Sequence, residues 1–302
     1  MSQEIIQKIE RLRSDRRAII LAHNYQPPEI QDIADLTGDS LELSRKAAET
    51  DASVIVFCGV AFMAETAAIL NPGKTVLLPR PEAGCPMADM ITADDMKRIR
   101  AEHPDVPIVT YVNSTAAVKA ESDACCTSAN SFRVVSSFED APTVYMAPDQ
   151  NLARYTALHS TKKILHWHGY CPFHHALRRE EVLLRKQEHP EALFLAHPEC
   201  RPEVLSLADR VMSTSGMLRF VHESSHKSFI VGTEVGILHP MRRMSPGKAF
   251  HAASNNMLCP HMKKISLDDV ARSLEILEPR ISVPEGIRVR ALKAVERMLL
   301  IS

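Results

Sequence analysis

The sequence lacks an excess of charge of either sign. Over 302 residues, 36 Lys and Arg face 37 Asp and Glu, for a formal net charge of −1. That balance gives no electrostatic reason to expect nucleic acid or a membrane as partner. No apolar run approaches the ~20 residues needed to cross a bilayer. Residues 1–17 lack the apolar core of a secretory signal; Ile5, Ile6, Ile9 and Leu12 fall instead on one face of an amphipathic helix. A cytoplasmic protein is therefore expected. There is no CxxC pair and the seven cysteines are odd in number, so structural disulfides are not expected. Walker, GxGxxG and GxSxG motifs are missing too, which leaves nucleotide use and serine hydrolysis without support.

What the chain does contain is a repeat. Three Cys-Pro pairs, at Cys85, Cys171 and Cys259, lie 86 and 88 residues apart. Asp35, Asp123 and Asp209 keep a step of 88 and 86, as do Ser40, Ser128 and Thr214. His23 and His197 each end an apolar run and are 174 apart, with 109–113 at the equivalent place between them. A unit of about 87 residues is too long for a solenoid repeat and suits a small domain. The spacing predicts a first repeat over 1–87, a second over 88–173, and a third with terminal helices over 174–302.

Apolar runs of strand length alternate with helical patterns in every unit. Strands are expected at 18–22, 53–58, 75–78, 108–112, 143–146, 163–167, 193–197, 210–213, 228–232 and 249–252. Thr92 with Asp95, and Ser266 with Asp269, have the spacing of helix-starting capping boxes; one long helix is expected over 175–188. Alternation of this kind implies an α/β fold with small parallel sheets and right-handed crossovers. Ligands then bind at loops beyond the carboxyl ends of the strands. His23, Asn24, Tyr25, Tyr111, Asn113, His197, Glu199 and the three Cys-Pro cysteines all fall in such loops. Three copies about a pseudo-threefold axis bring those loops face to face.

Three thiolates from three loops suit a soft metal centre. Cys-Pro recurs at iron–sulfur clusters, although four cysteines are usual there; with three, one iron of a four-iron cluster stays open to act as a Lewis acid. A Cys3His zinc site with His174 or His261 is the alternative. Cys58, Cys125, Cys126 and Cys200 read as small buried hydrophobes. Asp39 or Ser40 caps the helix that follows it, and Ser40, Ser128 and Thr214 stand where helices begin, as caps, as anion-binding groups, or as both. His197-Pro198-Glu199 puts a base and an acid two residues apart beyond a strand. His23, Tyr25 and Tyr111 are further acid–base candidates.

With these residues assembled, the chain resembles the quinolinate synthase family over essentially its whole length. The motifs that carry the resemblance are Leu21-Ala22-His23-Asn24-Tyr25-Gln26, Gly59-Val60 with Phe62-Met63-Ala64-Glu65, and Tyr111-Val112-Asn113-Ser114. They continue with Cys126-Thr127-Ser128-Ala129-Asn130, His197-Pro198-Glu199-Cys200, Ser213-Thr214-Ser215-Gly216-Met217 and Val231-Gly232-Thr233-Glu234. The resemblance implies three similar α/β/α domains and a [4Fe-4S] cluster held by Cys85, Cys171 and Cys259. It implies condensation of iminosuccinate (iminoaspartate) with dihydroxyacetone phosphate to quinolinate in NAD biosynthesis. Tyr25, Glu199, His197 and Tyr111 are the implied catalytic residues. His23, Ser40, Met63, Tyr111, Asn113, Ser128, His174, His197, Glu199, Ser213 and Thr214 are the implied substrate positions. Partners would be the two small substrates and, transiently, the enzyme that produces iminosuccinate. Ala61 and His175 depart from the family pattern, which has His and an acidic residue there.

Overall fold

The computed structural model describes residues 2–301. Twelve short strands form three four-stranded sheets. The first holds β1 (Ala18–His23), β2 (Leu36–Gly38), β3 (Val54–Cys58) and β4 (Thr75–Leu77) in the order β2-β1-β3-β4. The second holds β5 (Ile108–Tyr111), β6 (Ala124–Cys126), β7 (Thr143–Ala147) and β8 (Lys163–His166) in the order β6-β5-β7-β8. The third holds β9 (Leu193–Ala196), β10 (Arg210–Val211), β11 (Ser228–Gly232) and β12 (Ala249–Ala252) in the order β10-β9-β11-β12. All pairings are parallel, and the strand order is the same in each sheet. The inner strands are apolar on both faces because helices cover both, as in β3, where all five residues are buried.

The repeated aspartates explain part of this likeness. Each lies just before or at the start of the second strand of its sheet. Asp35, Asp123 and Asp209 accept hydrogen bonds from the amides of Ile20, Ile108 and Phe194 at 2.8, 2.7 and 2.7 Å. Their own amides return bonds to the same three residues, each at 2.9 Å. Arg13, Arg100 and Lys186 pair with the three carboxylates. One aspartate thus ties the crossover back to the central strand in every repeat, a structural role.

Both expected capping boxes form, at Thr92 with Asp95 and at Ser266 with Asp269. The strands β2 and β6, three residues each, are additional to those expected. The long helix expected over 175–188 is instead two, Pro172–Ala176 and Arg179–Glu188. Leu177 breaks it by leaving the helical conformation (ψ 125°) and joining the buried cluster that includes Val182 and Phe194, while Glu181 accepts from the Arg178 amide at 3.0 Å. A further helix, Leu238–Met244, carries Pro240 in its first turn, where a missing N–H costs little.

The terminal helices close the molecule away from the third sheet. Leu267–Ile276 packs on the first helix, Ser2–Asp15, and on β3; Glu285–Leu300 packs on β6 and on the helices Ala61–Leu70 and Ala116–Lys119. Among the described residues, no helix is long and apolar enough to cross a membrane.

Candidate active site and metal centre

The carboxyl ends of the three sheets open into one cavity lined from all three repeats. Its floor is made by the same two positions of each unit. β1 ends in His23, with Tyr25 two residues on; β5 ends in Tyr111, with Asn113 two on; His197 follows β9, with Glu199 two on. His23 Nδ1 accepts from the Tyr25 amide at 3.2 Å, and His197 Nδ1 from the Glu199 amide at 3.4 Å. Accepting at Nδ1 places the proton of each neutral imidazole on Nε2. For His197 that nitrogen lies 3.2 Å from Ser128 Oγ.

Ser40, Ser128 and Thr214 also line the cavity. None of them is the cap. Asp39 caps the helix Ser40–Glu49 through bonds from Leu41 and Glu42, and Ser213 caps Thr214–Glu223 through the Gly216 amide at 3.2 Å. Ser128 lies in the turn before Ser131–Ser136. Capping by the preceding residue leaves the Ser40 hydroxyl to the cavity and lets Thr214 accept from Asn24 Nδ2 at 3.1 Å across repeats. Ser213 itself does not line the cavity, and nor does His261.

Glu199 is the electrostatic centre. Its carboxylate lies 2.7 Å from His174 Nδ1 and 3.4 Å from Asn113 Nδ2, and Tyr111 donates to it. Burial pushes the carboxyl up, but the neighbouring His174 and the bonds from His174 and Tyr111 act against it, and the carboxyl is held below its usual range, ionised. Burial, assisted by the neighbouring His197, lowers His23 from 6.5 to about 3, and burial likewise lowers His197 to about 3. Both imidazoles are thus neutral. Burial and the charge of Glu199 raise Tyr25 well above its usual value, so its phenol stays protonated. Tyr25 and His174 Nε2 meet at one hydroxyl, Thr233 Oγ1. Thr233 stands inside a motif quoted above but was not singled out as a site residue; a lone Thr after a strand carries no distinguishing pattern.

Cys85, Cys171 and Cys259 all reach the cavity, half-buried, whereas Cys58, Cys125, Cys126 and Cys200 are fully buried. Each cavity cysteine precedes a proline and a turn whose next amides point at sulfur: Met87 and Ala88, His174, and His261 and Met262 respectively. Proline fits because the first N–H of such a turn has no partner to find. Burial raises all three thiols, Cys85 to about 12, while these amides act against it. A metal that displaces the proton relieves that conflict, since coordinated thiols are deprotonated outright. The donor set therefore fits a soft metal group. Cys171, His174 and Glu199 also bring donor atoms within 4.8 Å of one another. Met63 and Phe62 supply an apolar wall.

Three parallel α/β units sharing one cavity, with acid–base groups and one thiol from each, define a triplicated α/β protein of enzyme type. The sequence model of the family described as quinolinate synthetase A protein matches residues 7–300. A protein of Desulforudis audaxviator named quinolinate synthase is 54% identical over 299 residues, 99% of each chain. One of Methanosarcina acetivorans named quinolinate synthase 1 is 51% identical over 296 residues, 98% of this chain and 97% of that one. One of Thermodesulfovibrio yellowstonii named quinolinate synthase is 51% identical over 300 residues, 99% of each. The chain belongs to the quinolinate synthetase A family.

Proposed function

We propose that this chain condenses iminosuccinate with dihydroxyacetone phosphate, releasing phosphate and two waters to give quinolinate, the pyridine precursor of NAD, in the cytoplasm. The observation that carries the reading is the meeting, in one cavity, of three cysteine turns with an ionised glutamate and a protonated tyrosine. Cys85, Cys171 and Cys259 would hold a [4Fe-4S] cluster. When bound, that cluster supplies a Lewis-acidic iron with an open position. A single zinc fits less well. With Zn–S bonds of ~2.3 Å, tetrahedral geometry needs sulfurs about 3.8 Å apart, and among the described residues the three cysteines do not gather within 4.8 Å.

The chain's own residues divide the remaining work. Both substrates are anions, and the helix starts at Ser40 and Thr214, with the Ser128 hydroxyl, offer donors to carboxylate or phosphate oxygens. His23 and His197, being neutral, hold substrate by Nε2–H hydrogen bonds and add no charge. Glu199 is the base that removes carbon-bound protons, and Tyr25 is the acid that returns a proton to a leaving oxygen. Tyr111 and Asn113 fix the Glu199 carboxylate, His174 links it to Thr233 and so to Tyr25, and Met63 excludes water.

An anaerobic assay of pyridine dicarboxylate from the two substrates tests the reading directly. Product should form with wild type and disappear in Cys85→Ala, Cys171→Ala and Cys259→Ala, together with the visible iron–sulfide absorption. Full activity in any one of those three variants would overturn it.

A further inference from the structure

Two buried carboxylates line the back of the cysteine turns and have no part in the chemistry above. Asp149 is 2% exposed and Glu234 is 1% exposed. They occupy the same place in their repeats, two residues beyond the ends of β7 and β11. Asp149 Oδ2 accepts from the amide of Cys171 at 3.2 Å, while Oδ1 accepts from Leu152 at 2.7 Å and caps the helix Gln150–Leu158. Glu234 Oε1 accepts from the amide of Cys259 at 3.1 Å, while Oε2 accepts from Gly236 at 2.7 Å. Lys263 Nζ, 2.9 Å from Oε1, balances the charge of Glu234.

A backbone latch underlies this in all three repeats. The amides of Ala61, Gln150 and Val235 donate to the carbonyls of Ala83, Gly169 and Met257, at 2.8, 2.8 and 2.9 Å. Each acceptor is two residues before its cysteine. At Gly169 the backbones approach closely: a Cβ there would meet the Pro148 carbonyl oxygen at 2.7 Å. The first repeat has the latch but no carboxylate, because Val60 stands where Asp149 and Glu234 stand.

We infer that Asp149 and Glu234 are positioning residues that fix the Cys171 and Cys259 turns through the cysteines' own amides, with no carboxylate at the equivalent place behind Cys85. The inference rests on the cysteines being the metal ligands. The carboxylates bond the cysteines' amides and leave the sulfurs free for metal. They set where two of three sulfurs stand before metal arrives, and partners of ligands in this position typically change metal affinity about 10–100-fold when lost.

The test uses Asp149→Ser, which keeps a good helix cap but has no second oxygen for Cys171, and Glu234→Gln, which can accept from only one of its two amides. Iron release from anaerobically purified, full-length protein to bathophenanthroline disulfonate should be about ten-fold faster in either variant. In metal-free protein, iodoacetamide should alkylate Cys171 several-fold faster in Asp149→Ser, and Cys259 several-fold faster in Glu234→Gln, with Cys85 unchanged in both. Wild-type iron release and wild-type alkylation in both variants would overturn the inference and leave the cluster reading standing. A wild type that binds no iron, with the alkylation pattern as expected, would overturn the cluster reading and support the positioning role. A uniform rise at all three cysteines would mean general loosening and would overturn it.

Discussion

The three repeats agree at one set of positions and disagree at another. Where the crossover meets the central strand, the residue is Asp in all three, with nearly the same bond to the strand amide, 2.7–2.8 Å. At the other end of those strands, equivalent positions hold His23, Tyr111 and His197, then Tyr25, Asn113 and Glu199. The first position solves one problem three times, namely satisfying a buried amide at a parallel crossover. The second lies around a common cavity, where three identical groups would give a symmetric site. The proposed condensation needs a base facing an acid. Divergence at the strand ends supplies Glu199 ionised and Tyr25 protonated within one hydrogen-bonded network.

The largest effect should come from making the strand ends more alike. Glu199→Gln removes the only carboxylate among those six positions and keeps its shape. Turnover should fall about 10²–10⁴-fold, the usual range for a lost general base, with iron–sulfide absorbance retained. Loss of absorbance along with turnover would place Glu199 in the structure of the site instead of its chemistry.

The buried imidazoles give a second test. His23 and His197 sit near 3 in the folded protein against 6.5 when exposed, so the unfolded chain takes up their protons first. Stability is therefore lost as pH falls from about 6.5 toward 3, by about 1.4 kcal/mol per pH unit for each. Asp149 and Glu234, raised by burial, contribute with the opposite sign. The measurement is thus a difference in slope between variant and wild type. Metal-free His197→Gln, unfolded in urea at pH 7, 6 and 5, should lose stability less steeply by about one proton. Equal slopes would mean that His197 is not held neutral by burial.

The aspartates should show the converse of Glu199. Asp35→Ala, Asp123→Ala and Asp209→Ala each strand a buried strand amide and should cost about 1–2 kcal/mol. Turnover per folded molecule should stay near wild type. Similar costs in all three would confirm that the periodic aspartates do the same work in each repeat; a selective loss of turnover in one would break the equivalence.

Much of this was legible because repeats expose themselves by spacing. The Cys-Pro step named the three thiols that reach the cavity, and the apolar runs named ten of the twelve strands. What stayed hidden lacked a periodic signal or depended on tertiary contact. The strands β2 and β6 exist only through their pairing with β1 and β5, and Leu177 leaves a helical pattern to join a buried cluster with Phe194. Asp149 and Glu234 were readable in principle, being 85 residues apart. Without a third carboxylate in the first repeat the pair does not stand out. Ser40 and Thr214 do begin helices, but capping falls to Asp39, one of the two residues expected at the first, and to Ser213 at the other; only the geometry separates a cap from its neighbour.

That adjacent pair offers the smallest and sharpest comparison. Ser213 spends its hydroxyl on the Gly216 amide, whereas Thr214, next along, faces the cavity and accepts from Asn24. Ser213→Ala should cost about 1 kcal/mol of stability and Ser213→Gly only a few tenths, the usual order for a lost cap, with KM for both substrates little changed. Thr214→Val keeps the shape and removes the hydroxyl, so it should raise KM for one substrate several-fold. Steady-state kinetics and urea melts of the three variants decide the matter. If Ser213→Ala raises KM as much as Thr214→Val does, the cap and the cavity are one device, and the division of labour between neighbours fails.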